Sequence, residues 1–411
     1  MKLHLAYQFS VLTGLLTTAS SASVPQMDFN PLKFSSGKTR MPYPVSDMTA
    51  SVAPATSSSL DPLVFIVGGC DSPQGNVRAE WDDSMFYCST VTDRTIAYDP
   101  AQDTFVSKKN MLRERYRHAA AVVNGMIWII GGRDADDNTV HEVDMYNPLT
   151  DEWTYVANMT ESLARSDLTA FASSSQTDHF YVTGGYNATY AAFGTTLKID
   201  AAASLSTNEI QYEEQKEMPT PRGDIQSVVL DDNFAYVIGG YTPSNNWCKA
   251  LTVVEKYNLE SNTWTTEPSL TNARGDKAAV LLNDKIYAIG GESNNGECGT
   301  ENSETGVDSA DPSQSVLPID DVEVYNTNDS GGWTVLQEIP SERFRFTGVA
   351  YPETGTIFLF GGQKFYSGGC DCFATSNEVL FLTNEAEIES AAVMAWSRSA
   401  LAMALLAIGF L

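Results

Sequence analysis

Residues 285–291, which read KIYAIGG, form a short run of strand-favouring residues that ends at a glycine pair. Isoleucine and tyrosine favour a pleated, buried strand, and a glycine pair allows a sharp exit where backbones pack closely. The same phrase occurs six times, as LVFIVGG, MIWIIGG, HFYVTGG, FAYVIGG, KIYAIGG and TIFLFGG, ending at Gly69, Gly132, Gly185, Gly240, Gly291 and Gly362. Six copies in register indicate a repeat architecture, so this stretch decides the fold.

Each repeat carries further landmarks beyond its glycine pair. A Tyr-Asp-Pro-like segment follows, as at residues 97–100, and an aromatic residue stands seven or eight positions after the tyrosine in four repeats. Ten positions beyond the aromatic residue comes an arginine, again in four repeats: Arg115, Arg222, Arg274 and Arg343. Polar turns such as Asn124-Gly125 lead back into the glycine-pair strand and are typical of hairpins. These landmarks predict four short antiparallel strands in each repeat.

The combination of a glycine pair, Tyr-Asp-Pro and tryptophan resembles the kelch repeat, whose units of about 50 residues form the blades of β-propellers. The second glycines of successive repeats are 63, 53, 55, 51 and 71 residues apart, which fits such blades with loop insertions. The resemblance extends over residues 30–384. It implies an all-β fold, a six-bladed kelch β-propeller of four-stranded antiparallel blades. The sixth repeat provides three strands, so residues 31–36 are expected to supply the fourth and close the ring.

The two ends of the chain lie outside the predicted propeller of residues 23–384. Residues 1–22 contain Lys2, an apolar run and a small-residue end, which is the pattern of a secretory signal peptide. Residues 385–411 form a tail that ends in thirteen almost wholly apolar residues, too few to span a bilayer. The tail resembles a glycolipid-attachment (GPI) signal with Ser390 as the attached residue, and a single-pass anchor is the alternative. We therefore expect a protein of the secretory pathway, extracellular or on the cell surface, that contacts the membrane through its tail only.

Composition restricts the partners of the chain. Twenty-five Lys and Arg oppose 52 Asp and Glu, which gives a net charge of −27. Because nucleic-acid binding depends on cationic neutralisation of phosphate, this balance excludes nucleic acid as an expected partner.

Six cysteines remain after the signal peptide, all in loops that follow glycine pairs: Cys70, Cys88, Cys248, Cys298, Cys370 and Cys372. An even number in a secreted chain predicts disulfides rather than zinc, whose standard ligand spacings are missing. Cys248 and Cys298 lie in neighbouring repeats and are expected to pair. Cys70–Cys88 is favoured among the remaining four, whose connectivity stays open. Sequons at Asn158, Asn187 and Asn328 predict N-glycosylation.

Arginine is concentrated in the connections that lead into the first strand of the repeats, where eight of the 13 arginines lie. In a propeller these connections share a face with the long loops, near the central channel. Two interpretations are open: arginine–aspartate pairs that tie neighbouring blades, or a site for an anionic group held by guanidinium contacts. The resemblance to kelch proteins that grip acidic peptides favours Arg115, Arg222, Arg274 and Arg345. The full set of candidate ligand-binding residues is Arg115, Arg117, Arg165, Arg222, Arg274, Arg345, Asp167, Asp224 and Asp276.

Function is predicted as an extracellular kelch-propeller binding module for a protein or glycan, including an anionic one, through the loop-rich face. The alternative is a metal-independent, epimerase- or mutarotase-like enzyme on acidic sugars at the same pore mouth. Asp167, Asp224 or Asp276 could act as its base only if desolvation raised the pKa. The three histidines of the mature chain, His118, His141 and His179, fall on strands that do not bring them together. We therefore assign no catalytic residue, metal or cofactor, and expect binding rather than catalysis.

Overall fold

The computed structural model describes residues 33–36, 39–54, 62–78, 86–175, 177–243, 250–293, 316–329, 331–351 and 354–383. The predictions for the signal peptide, for Cys248–Cys298, for Ser390 and for the C-terminal tail lie outside these residues. Within them, the longest helix is α1 (Ala201–Thr207), and no helix is long and apolar enough to cross a membrane.

The first strand, β1 (Lys33–Ser36), belongs to the last blade. From the inner to the outer edge, blade 1 contains β2 (Thr49–Ala53), β3 (Leu63–Val67), β6 (Thr95–Asp99) and β7 (Thr104–Ser107), with β4 (Asn76–Arg78) and β5 (Phe86–Cys88) between β3 and β6. Blade 2 contains β8 (Ala119–Val123), β9 (Met126–Ile130), β10 (Glu142–Asn147) and β11 (Glu152–Asn158). Blade 3 contains β12 (Thr169–Phe171), β13 (His179–Thr183), β14 (Thr196–Asp200) and β15 (Gln211–Gln215), with α1 between the last two.

The second half of the ring repeats this order. Blade 4 contains β16 (Gln226–Leu230), β17 (Phe234–Ile238), β18 (Val254–Asn258) and β19 (Thr263–Thr266). Blade 5 contains β20 (Ala278–Leu282), β21 (Lys285–Ile289), β24 (Asp321–Asn326) and β25 (Trp333–Glu338), with the short pair β22 (Glu292–Ser293) and β23 (Leu317–Pro318) after its glycine pair. Blade 6 contains β26 (Thr347–Tyr351), β27 (Thr356–Phe360), β30 (Val379–Thr383) and β1, with β28 (Gln363–Ser367) and β29 (Cys372–Thr375) between β27 and β30.

The prediction of an all-β, six-bladed propeller with four-stranded antiparallel blades is confirmed. Each innermost strand contacts the innermost strands of both neighbouring blades, and the contact between β26 and β2 completes the circle. The segment expected to close the ring, β1, pairs antiparallel with β30, so that Phe34 lies opposite Leu382.

Six apolar clusters hold the blades together, one between each pair of neighbours. The aromatic residue of each glycine-pair strand, such as Trp128, is buried in this position. The repeat tryptophans lie further out and use their polar atom: Trp153 Nε1 donates to the Lys109 carbonyl (2.8 Å) in the connection from blade 1. A buried aromatic ring with one hydrogen-bonded edge suits this position, which explains why the landmark recurs.

The glycine pairs are required by close backbone packing. Gly291 has φ +101°, and a Cβ atom there would lie 2.5 Å from the Gly275 carbonyl oxygen. A side chain would therefore separate the end of the strand from the connection that enters the same blade.

An additional four-stranded sheet stands on the face to which the glycine-pair strands lead. Its order is β28, β29, β4, β5, so loops of blades 6 and 1 combine in one sheet, which we call the crown. Disulfides join Cys70 to Cys88, the pair favoured by the sequence, and Cys370 to Cys372. Two disulfide bonds therefore stabilise the crown at the position where the ring closes.

Candidate functional site at the channel mouth

One residue from each blade, at the entry to the innermost strand, surrounds the channel. We call this set the mouth ring: Asp47, Arg117, Asp167, Asp224, Asp276 and Arg345. All six have positive φ, between 47° and 57°. Each backbone N–H donates to the carbonyl of the preceding member, and the six bonds of 2.8–3.3 Å form a closed circle. This circle fixes six charged side chains around one axis.

The charged side chains of the mouth ring are paired unevenly. Arg117 Nε lies 3.4 Å from Asp47 Oδ1 and 3.6 Å from Asp167 Oδ1. Arg345 Nε lies 2.9 Å from Asp276 Oδ2 and 3.8 Å from Asp47 Oδ1. Asp224 has no such guanidinium partner within 4 Å among the described residues, and it accepts a hydrogen bond from the hydroxyl of Tyr186 (2.8 Å). Among the described residues, Asp224 is thus the one aspartate of the mouth ring without a guanidinium partner.

Burial and like charge shift the titration of these groups. Burial raises the pKa of Asp224 well above its ordinary value, and the carboxylates of Asp276 and Asp167 raise it further. Burial lowers the pKa of Arg117, but Asp167 and Asp47 outweigh this effect, and the pKa lies well above the usual range. Burial and the neighbouring carboxylates therefore make Asp224 harder to ionise than an ordinary aspartate.

A second ring is formed by the residue that directly follows each glycine pair: Cys70, Arg133, Tyr186, Tyr241, Glu292 and Gln363. All six are buried, and the side chains of four of them donate hydrogen bonds to the next blade: Arg133, Tyr186, Tyr241 and Gln363. The hydroxyl of Tyr186 also lies 3.0 Å from the Tyr241 carbonyl, and the hydroxyl of Tyr241 lies 3.3 Å from the Glu292 carbonyl. Sequence reasoning missed this ring, although its fixed position after the glycine pair was a signal that could have found it.

The two tyrosine rings explain a glycine that recurs in blades 4 and 5. A Cβ atom on Gly223 would lie 2.3 Å from the ring of Tyr186, and one on Gly275 would lie 2.3 Å from the ring of Tyr241. Each aromatic ring therefore packs directly against the residue that precedes an aspartate of the mouth ring, which leaves space only for glycine at that position.

The residues that follow the mouth ring line the channel beneath it: Met48, His118, Leu168, Ile225, Lys277 and Phe346. Together with the mouth ring they enclose about 50 Å³, which is room for a few water-sized groups rather than a sugar. Burial lowers the pKa of Lys277 to about 7 and that of His118 to about 3. Lys277 Nζ lies 3.5 Å from the Asp224 carbonyl, so an ionisable amine lies directly below Asp224.

Comparison with known proteins places this geometry in a family. The model described as "Attractin/LZTR1 beta-propeller" matches residues 64–311, more than half of the chain. The chain belongs to this family. Kelch propellers generally bind proteins.

Curated relatives of this Attractin/LZTR1-type propeller include Kelch-like protein 26 of Danio rerio, 26% identical over 60% of this chain and 37% of the relative. Beta-scruin of Limulus polyphemus is 25% identical over 72% of this chain and 29% of its own length. Kelch-like protein terF of Aspergillus terreus is 26% identical over 69% of this chain and 59% of its own. These relatives confirm the kelch resemblance, and the chain spans less than two thirds of the length of each.

A solved structure titled "Structure of YjhT" matches with a TM-score of 0.62 and 16% identity, covering 84% of this chain and 97% of that one. At this identity the likeness concerns the fold alone.

In this Attractin/LZTR1-type propeller, the nine predicted ligand-binding residues lie in two different places. Arg117, Arg345, Asp167, Asp224 and Asp276 belong to the mouth ring. The other four, Arg115, Arg165, Arg222 and Arg274, are sealed inside the blades with at most 1% exposure.

The sealed arginines contact groups of their own blades. Arg115 Nη2 lies 2.6 Å from Asp144 Oδ2, and Arg274 Nη2 lies 2.7 Å from Glu323 Oε1. Arg165 instead lies over the ring of Phe193 at 3.9 Å. These residues therefore stabilise blades, and a ligand at the mouth cannot reach them directly.

The remaining predicted positions are dispersed over the surface of the propeller. Asn158 and Asn328 are exposed, whereas the side-chain oxygen of Asn187 accepts hydrogen bonds within its own turn. His141 contacts Glu161 and His179 contacts Asp178, so the histidines have separate partners. The described part of the chain contains no group of three His, Cys, Asp or Glu that could hold a metal ion.

Proposed function

We propose that the chain is an extracellular binding module that recognises a protein partner through the crown and the neighbouring channel mouth. The family supports a protein partner, since kelch propellers generally bind proteins. Fold alone does not define function, so the argument rests on what this chain adds to the propeller. That addition is the crown.

The observation that carries the proposal is an exposed aromatic residue on the disulfide-linked crown. Phe365, in β28, is 60% exposed, and β23 with the exposed Leu317 contacts the same strand. A large apolar side chain on a rigid base is typical of an anchor in a protein–protein interface, because little conformational entropy is lost when it binds.

Several features support an extracellular location and a lipid anchor. Disulfides persist in oxidising compartments, and the crown contains two of them. Residues 1–22, the three sequons and the attachment pattern around Ser390 are consistent with this route. Treatment of expressing cells with a phosphatidylinositol-specific phospholipase C should release the protein, and retention on the membrane would contradict a glycolipid anchor.

A glycan or acidic ligand is supported less well than a protein. The two guanidinium groups at the mouth, Arg117 and Arg345, already lie between aspartates. The channel cavity of about 50 Å³ is also well below the roughly 300 Å³ at which small-molecule sites begin. The enzyme on acidic sugars therefore lacks space for its substrate in this cavity, and both guanidinium groups at the mouth are already paired.

The proposal is tested by chemical cross-linking of the full chain on the surface of expressing cells. Phe365→Ser removes the exposed aromatic group of the crown. Val106→Ser is the matched control, because Val106 is 51% exposed on the outer strand β7. We expect the parent and Val106→Ser to cross-link the same partner proteins, and Phe365→Ser to lose them. Identical partners for all three chains would contradict docking on the crown.

A further inference from the structure

The two disulfide bonds of the crown lie in opposite environments. Cys70 and Cys88 are both 0% exposed and pack together in an apolar cluster. In the other bond only Cys372 is buried, and Cys370 lies in an exposed turn. One disulfide is therefore closed to a reagent in solution, and the other presents one of its two cysteines to it.

Cys370 stands in the turn of the β28–β29 hairpin. Its backbone N–H donates to the Ser367 carbonyl (3.2 Å), and the two residues between them, Gly368 and Gly369, are exposed as well. Cys372 is the first residue of β29, where it lies opposite Ser367 in β28 and opposite Val77 in β4. The bond thus joins an exposed turn to a strand residue that is fixed in the crown.

As a structural crosslink, Cys370–Cys372 has the smaller effect of the two. A disulfide stabilises mainly by restricting the unfolded chain, and this restriction grows with the length of the closed loop. Cys370 and Cys372 are two positions apart, with Asp371 between them, whereas Cys70 and Cys88 are 18 apart. The strand pairing of β28 with β29 already fixes the hairpin. The exposed bond is therefore available for chemistry without loss of the fold.

We propose that Cys370–Cys372 is a reversible thiol-exchange site, at which a small thiol of the glutathione type forms a mixed disulfide with Cys370. The thiolate of the reagent attacks Cys370 Sγ, and a new S–S bond forms while the bond between the two cysteines breaks. Cys372 leaves as a thiolate and takes up a proton from solvent. One disulfide replaces another, so the step needs no oxidant. This chemistry goes beyond the proposed function and requires no partner protein.

The unequal burial of the two cysteines determines where the adduct forms and how it is removed. A thiolate in solution reaches Cys370, whereas Cys372 is 0% exposed. Because a buried charge is costly, the released Cys372 is held as the neutral thiol. Its thiolate is the nucleophile that attacks the mixed disulfide and expels the small thiol, so the original bond re-forms faster as the pH rises.

The test treats the full chain with reduced glutathione at pH 7.5, stops the reaction at successive times with an alkylating reagent, and maps the peptides by mass spectrometry. We expect glutathione on Cys370 and the alkyl group on Cys372, while Cys70–Cys88 stays intact in the same sample. The adduct on Cys370 should form at least about tenfold faster than any adduct on Cys70 or Cys88. After free glutathione is removed, it should decay about tenfold faster at pH 8.5 than at pH 7.5.

The double change Cys370→Ser/Cys372→Ser should abolish the adduct and keep the thermal midpoint of the parent, which shows that the exchange is not a result of unfolding. Three results would overturn the proposal: no glutathione on Cys370, equally fast reaction at Cys70–Cys88, or an adduct whose decay does not depend on pH.

Discussion

The contribution of the buried ion pairs to stability can be tested directly, because one blade of the same chain has apolar residues at the equivalent positions. In blade 4, buried Arg222 pairs with Glu255. In blade 1 the equivalent positions hold Val45 and Ile96, which are also buried. Glu255 and Ile96 each lie opposite a strand residue that stands two positions before the glycine pair of its own blade. The two positions are therefore equivalent in the strand register.

The magnitude follows from the contacts of Arg222. It donates to Glu255 and to the carbonyls of Gly239 (2.8 Å), Thr220 (2.8 Å) and Val237 (3.2 Å). Removing one partner of a buried ion pair costs about 3–5 kcal/mol, and each lost neutral hydrogen bond costs about 1 kcal/mol. Arg222→Val should therefore lower the free energy of unfolding by about 6–8 kcal/mol. The double change Arg222→Val/Glu255→Ile removes the stranded carboxylate and should recover about 2 kcal/mol of this loss.

Guanidinium denaturation followed by tryptophan fluorescence measures these differences, with Glu255→Ile completing the double-mutant cycle. The reasoning is refuted if Arg222→Val costs less than about 1 kcal/mol, or if the double variant is less stable than Arg222→Val. Either result would mean that the buried pair does not stabilise the blade as its geometry implies.

Three further changes test other parts of the structure. Replacing Cys70 and Cys88 by serine, which opens a link over 18 residues, should cost about 3 kcal/mol, measured as a fall in thermal midpoint that reductant reproduces in the parent. Gly75→Ala places a Cβ atom 1.8 Å from a crown carbonyl, so amide exchange should accelerate in the crown; Gly125→Ala, where the nearest atom is 3.7 Å away, should leave the crown protected. Because the folded-state pKa of Lys277 is about 7 and the unfolded value 10.5, parent stability should rise between these pH values, and Lys277→Met should abolish that rise in denaturation curves.

The sequence predicted the blades because their signals are local. A glycine pair, a tyrosine and a tryptophan recur at fixed spacing, and each has a steric or packing reason within one blade or its nearest neighbour. The crown could not be predicted in this way. Its strands β4 and β29 pair Val77 with Cys372, nearly 300 residues apart, and no local pattern encodes that contact.

The candidate site was predicted in position but not in detail. The motif at 222–224 places an arginine and an aspartate two residues apart, and the sequence pattern predicted that both side chains are accessible at the mouth. The structure separates them, since Arg222 is sealed inside the blade and Asp224 faces the channel. Their separation depends on the left-handed φ of Asp224 (55°), which is a property of the closed backbone circle rather than of the motif.

The distribution of arginine around the mouth ring is the strongest argument that the ring does more than join blades. All six positions have left-handed φ, which aspartate tolerates well and arginine adopts rarely. Arg117 and Arg345 are therefore strained choices, stabilised because each lies between two aspartates. Strict alternation of aspartate and arginine would tie every pair of neighbouring blades in this way. Asp224 breaks the alternation: it accepts a hydrogen bond from Tyr186 and has no guanidinium partner among the described residues, and a ring that only joins blades has no need of that break.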